Sequence, residues 1–135
     1  MKRKLAIFGL AAAVVGLTAA TLPPVLSTSG GLWEVSKSAT GANGEKLCVP
    51  QAVALSQWEH RKGQCTRAVL SSTETEAVIH YTCTDGGFGQ SKIRVITPRS
   101  LRIETQGISD GFPFSYTLHA RRVGDCPSAK PAVAH

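Results

Sequence analysis

His60, His80 and His119, with Glu59, Asp85 and Glu104 in the same stretch of chain, are the residue types that hold a zinc ion or move protons. Zinc sites gather such ligands through close pairs, yet no HxH or HxxxH spacing occurs, and each histidine stands alone on its element. Nucleophilic chemistry would need Ser115 or Ser91 within reach of His119 or His80. No GxSxG elbow is present, and serines on polar strand faces are ordinary. A hydrolase therefore requires His80 and His119 to converge on a serine or a metal. Surface and packing roles are the expectation for all three histidines.

Four cysteines, Cys48, Cys65, Cys83 and Cys126, are separated by 17, 18 and 43 positions. No CxxC pair suggests a metal. An even number in a short exported chain points to two disulfides, which leaves no thiol nucleophile. Of the three connectivities, Cys48–Cys65 and Cys83–Cys126 are favoured: the first clips an irregular segment, the second ties an inner strand to the chain end. The run Gly86-Gly87-Phe88-Gly89-Gln90-Ser91-Lys92 has the look of a phosphate loop. It lacks the GxxxxGK[ST] pattern and has antiparallel strands on its flanks, so a glycine-rich connection is expected.

Export itself is written in the first twenty residues. Lys2, Arg3 and Lys4 precede an apolar run from Leu5 to Leu17, and Thr18-Ala19-Ala20 offers small residues for cleavage. Residues 1–20 are expected to be a signal peptide, and the chain periplasmic or secreted. The alternative is an inner-membrane anchor through residues 5–22. Losing residues 1–20 lowers the formal net charge from +6 to +3. The remaining domain is only mildly basic, and no nucleic-acid partner is implied. Arg67, Lys92, Arg94, Arg102, Arg121 and Arg122 are expected mostly on outer strand faces, partly neutralised by Glu74, Glu76 and Glu104. A solvated face is the plain expectation; a contact to lipid headgroups or acidic polymer is the sharper one.

The elements that must position these residues are clearest from Ser91 to Cys126. Ile93 and Val95, Leu101 and Ile103, then Phe112, Phe114, Tyr116 and Leu118 alternate with polar residues, the mark of three half-buried antiparallel strands. Val95 is expected opposite Ile103 across the loop Pro98–Ser100, with Arg94 opposite Glu104. Upstream, Gly31–Ser36, Lys46–Val49, Cys65–Ser71 and Ala77–Thr84 supply four more strands. Gly41–Gly44 is a turn containing an Asn-Gly pair, and Pro50–Arg61 is the one helical candidate.

The architecture expected is mainly all-β: a curved antiparallel meander or half-barrel of about seven strands, one short helix and two disulfides. Residues 21–30 are expected to be a linker, residues 31–126 a single domain, and residues 127–135 a disordered tail. Trp33, Ile93, Val95, Leu101, Ile103, Phe112, Phe114 and Tyr116 should share the inner face, as core or as the lining of an apolar cavity.

Gly31-Leu32-Trp33-Glu34-Val35 behind a signal peptide, Cys48-Val49-Pro50 before a short helix, and a closing Gly124-Asp125-Cys126 together resemble a family of small exported proteobacterial proteins. That family is a domain of unknown function, DUF3617. The resemblance spans about Gly31 to Cys126 and implies a periplasmic, disulfide-bonded, β-rich domain. It brings no catalytic residues. The chain departs from the methionine-rich central strands of that family, since its one methionine is Met1. The expected function is a non-catalytic binding or structural module of the cell envelope, without cofactor. Its partner is an envelope protein, contacted through an exposed aromatic such as Phe88 or Trp58, or a small apolar ligand. An enzyme inhibitor is a further alternative.

Overall fold

The computed structural model describes residues 9, 11–12 and 22–127. The leader expected over residues 1–20, save three positions, and the tail after residue 127 lie outside the described residues. No helix among the described residues is long and apolar enough to cross a membrane.

Seven strands form one open antiparallel sheet: β1 (Gly31–Ser36), β2 (Glu45–Val49), β3 (Cys65–Ser72), β4 (Glu76–Cys83), β5 (Phe88–Thr97), β6 (Ser100–Ser109) and β7 (Phe112–Gly124). The spatial order is β2-β1-β7-β6-β5-β4-β3, so β3 to β7 are a simple meander and β1 returns to the last strand. Alternation explains the faces. Ala77 and Ile79 of β4, Ile93 of β5, Leu101 and Ile103 of β6, and Leu118 and Ala120 of β7 are all buried, while Lys92, Arg94, Arg102 and Glu104 between them are exposed. Trp33 and Val35 bring β1 into the same core.

One face of the sheet is covered by a short helix α1 (Pro24–Thr28) and by a run of 3-10 turns from Ala52 to His60. Residues 24–28 fall in the stretch expected to be a linker. Pro24 instead opens a helical turn, where its missing N–H costs nothing, and Leu26 is driven fully into the core. The Trp33 indole then donates to the Ser29 carbonyl at 3.2 Å. The second segment is the helix expected within Pro50–Arg61, in 3-10 form. It is tighter than an α-helix and breaks at Gln57 (φ −106°, ψ 36°) because it lacks an apolar stripe: Ala52, Val53, Leu55, Ser56, Gln57, Trp58 and His60 are all buried.

The first hairpin of the meander differs from the expected register. Val95 faces Leu101, Ile93 faces Ile103, Lys92 faces Glu104, and Arg94 faces Arg102. The shift is two residues, which preserves the inward face. Ile96 is bulged out and 58 % exposed, so that Thr97 can pair with Ser100 across the short turn Pro98-Arg99. The like charges are relieved sideways: Arg94 reaches Glu76 on β4 at 3.2 Å and Arg102 reaches Glu104 on its own strand at 3.5 Å.

The disulfides are Cys48–Cys126 and Cys65–Cys83, which corrects the favoured pairing. Cys65 lies directly opposite Cys83 in the β3–β4 ladder. Leu32 of β1 is flanked by Cys48 of β2 on one side and Gly124 of β7 on the other, so the chain end passes close to Cys48. Cysteine spacing carries no information about β1 lying between β2 and β7.

Candidate functional site

The histidines and serines that could do chemistry are dispersed. His80 lies on β4 opposite Gln90, and His119 lies on β7 opposite Arg102. Strands β5 and β6 stand between them, about 14 Å at ordinary strand spacing. No hydrolytic pair forms there. Among the described residues no three of His, Cys, Asp and Glu gather as metal ligands, and all four cysteines are oxidised. Ser115 is exposed, on the outer face. Ser91 is fully buried and donates to the Ser56 carbonyl at 2.5 Å, its oxygen also meeting Thr105 Oγ1 at 2.8 Å.

His60 belongs to the same buried set. Its Nδ1 lies 2.9 Å from the Tyr81 hydroxyl, and its ring packs against Phe114. These polar contacts pin the 3-10 segment onto the middle of the sheet. The glycine-rich run Gly86–Lys92 expected as a connection is part turn and part strand, since Phe88 and Gly89 are already in β5. Its glycines make room: a Cβ on Gly87 would overlap His60 Nε2, and one on Gly89 would sit 2.5 Å from the Tyr81 hydroxyl.

Burial raises the Tyr81 phenol from 10.0 to about 12, the charge of Glu59 adds to the rise, and the Thr105 hydrogen bond opposes it. The folded chain thus holds this proton more tightly than the unfolded chain. The associated stability is complete below pH 10 and is lost as pH climbs through about 12, a total of ~2–3 kcal/mol. Denaturant midpoints between pH 9 and 12 should fall steeply for the parent protein and less steeply for Tyr81→Phe.

The apolar set is mostly packed core. Trp33, Ile93, Leu101 and Ile103 are buried at 2 % exposure or less, and Val95, Phe114 and Tyr116 are half-buried. Phe112 departs from the set at 74 % exposed, because β7 extends past the covering segments. Leu26, Val53, Leu55 and Trp58 fill the space over the inner face. Of the aromatics expected on loops, Phe88 is 42 % exposed and Trp58 is buried. The basic residues are largely paired: Lys92 and Arg94 with Glu76, Arg121 with Glu34, and Arg122 with Asp125. Arg67 departs from the outer face and donates to Gln57 Oε1 at 2.7 Å.

One open recess has mixed chemistry. Strand β1 ends because Ser36 and Ser38 turn the chain aside: the Ser38 N–H donates to Ser36 Oγ, and the Ser36 hydroxyl donates to the Ala42 carbonyl at 2.6 Å. Gly41 (φ 80°) and Asn43 (φ 55°) then complete a left-handed reversal into β2. Between this loop, the 3-10 segment and β7 lies a cleft of about 490 Å³. Val35, Leu118 and Tyr116 form its apolar side; Lys37, Asn43, Glu45, Glu59 and Arg61 form its polar side.

Within it the Tyr116 hydroxyl donates to Glu59 Oε2 at 2.5 Å, and the Lys37 ammonium sits 4.4 Å from the centre of the Tyr116 ring. Arg61 stacks over Trp58, donates to the Trp58 carbonyl, and reaches Glu45 Oε2 at 2.9 Å. Burial, then the bond to Glu59, raises the Tyr116 phenol well above its usual range. The site therefore offers a carboxylate and a neutral phenol beside an ammonium. Tyr116 was legible as an inner-face aromatic, and Glu59 only as a neighbour of His60. Their meeting across 57 positions, and the part played by Lys37, left no mark in the sequence.

No curated protein and no solved structure matches the chain. A family model described as a protein of unknown function, DUF3617, matches residues 26–126. That stretch contains every strand of the sheet and both disulfides. The chain belongs to the DUF3617 family.

Proposed function

We propose that this protein is a non-catalytic binding module of the cell envelope, exported to the periplasm, and that the Glu59–Tyr116 cleft is where it binds. Two disulfides and no free cysteine among the described residues suit an oxidising compartment. The observation that carries the binding site is the Tyr116–Glu59 hydrogen bond within an open cleft, with Lys37 over the same ring. Such a site suits a small polar ligand that donates to Glu59 and offers an acceptor or negative group to Lys37. The filled inner face argues against an apolar molecule lodged inside the sheet. Both raised tyrosines remain neutral phenols at neutral pH, which provides no activated nucleophile.

Native mass spectrometry of protein purified from its own envelope fraction tests this. A co-purifying small mass should appear and be displaced by Glu59→Gln, with affinity weakened by roughly tenfold or more. Tyr116→Phe should weaken it less, since the carboxylate remains. Absence of any bound mass, together with no NMR shift changes at Lys37, Glu59 or Tyr116 on adding the envelope small-molecule pool, would falsify the proposal.

A further inference from the structure

Strand β7 is 13 residues long and unevenly covered. On one side β6 pairs with it from Phe112 to Arg121; on the other, β1 pairs only from His119 to Gly124. Among the described residues no strand lies beside 112–118 on that second side. The orientation of the free groups follows from the ladder. The Arg122 N–H donates to Arg99 at the β5–β6 turn, so even-numbered residues of β7 point their backbone groups toward β6. Pro113, Ser115 and Thr117 therefore point theirs to the open side. Pro113 fits this placement, since a proline has no N–H to give to a paired neighbour.

We propose that this edge pairs antiparallel with the same edge of a second copy about a two-fold axis through Ser115, joining two sheets into one. The pattern is self-complementary. Ser115 would face the partner's Ser115 and exchange two hydrogen bonds. Each Thr117 N–H would donate to the Pro113 carbonyl across the axis, so every N–H on the open edge is satisfied and the proline loses nothing. On the inner face Phe112 would lie opposite the partner's Leu118, and Phe114 opposite the partner's Tyr116. This covers Phe112, which is otherwise 74 % exposed. The length also fits: β1 begins to pair at His119, where the partner strand runs out.

Because Leu118 and Tyr116 line the cleft, the second copy would close one side of it with the partner's Phe112 and the partner's Phe114. The pairing rests on the strand edge and not on the cleft's ligand, so the two stand or fall separately. Sedimentation equilibrium up to near-millimolar concentration should show a dimer. Ser115→Pro removes the two central hydrogen bonds without touching the β6 ladder, and should weaken the dimer by roughly tenfold or more. Ser115→Cys should form a covalent dimer under mild oxidation, because facing hydrogen-bonded residues lie about 5.5 Å apart at Cα. Gln106→Cys, one strand inboard, should not. A monomer at every concentration, with Ser115→Cys uncrosslinked and the Ser115 and Thr117 amides exchanging freely, overturns the proposal and leaves this edge open to a strand of another protein.

Discussion

The double variant Cys48→Ala/Cys126→Ala is expected to lose about 4.5 kcal/mol of stability, and Cys65→Ala/Cys83→Ala about 3 kcal/mol. The difference comes from loop length. The first bridge spans 78 positions and the second 18, so the first removes more freedom from the unfolded chain. Total stabilities of small domains run about 5–15 kcal/mol, so the first loss is a large share of the whole. It also releases the seam where β1 is held between β2 and β7, the contact that brings both chain ends of the domain together. Denaturant midpoints check the magnitudes. Non-reducing peptide mapping checks the pairing, and a Cys48–Cys65 peptide would overturn this account of the seam.

Trp33→Ala is expected to cost ~3–5 kcal/mol, the largest effect of any single core truncation here. Trp33 is fully buried, and its indole donates to the Ser29 carbonyl just beyond α1. Truncation leaves a cavity under α1 and the 3-10 segment and strands an acceptor, two costs that add. Trp33→Phe keeps most of the volume and loses the hydrogen bond, so it should cost less than half as much. Equal losses for the two variants would mean that the indole N–H, and not the packing, dominates. Amide exchange should show α1 and residues 52–60 opening first in Trp33→Ala, because those segments cover the vacated space.

Strand identity was legible from Ser91 to Cys126 because alternation is a local property. Ile93, Leu101, Ile103 and Leu118 point inward for the same reason that their neighbours Lys92, Arg102 and Glu104 point outward. The turn at Gly41–Gly44 was legible because Gly and Asn tolerate positive φ. What alternation cannot supply is register beyond its parity. Ile96 bulges outward, and a two-residue shift keeps every side chain on its face, so Val95 meets Leu101 with no signal in the pattern. The helical candidate forms as a 3-10 helix for a related reason. Ala52–His60 is buried nearly all round, which erases the stripe that a helix reading depends on.

The sequence by itself determined an antiparallel β-rich chain with paired cysteines and a largely apolar inner face. Each of these follows from residues one or two positions apart, or from composition and cysteine number. Tertiary structure alone decided which cysteines meet, since that depends on β1 inserting between β2 and β7. It decided that Glu59 meets Tyr116 beside Lys37, three residues drawn from the 3-10 segment, β7 and the loop after β1. It decided that, among the described residues, half of β7 is left with an open edge, because Ser36 and Ser38 turn β1 aside before it reaches Leu118. The division is between short and long range. Side-chain alternation is imposed by the backbone within each strand, whereas sites and seams depend on where separate strands come to lie.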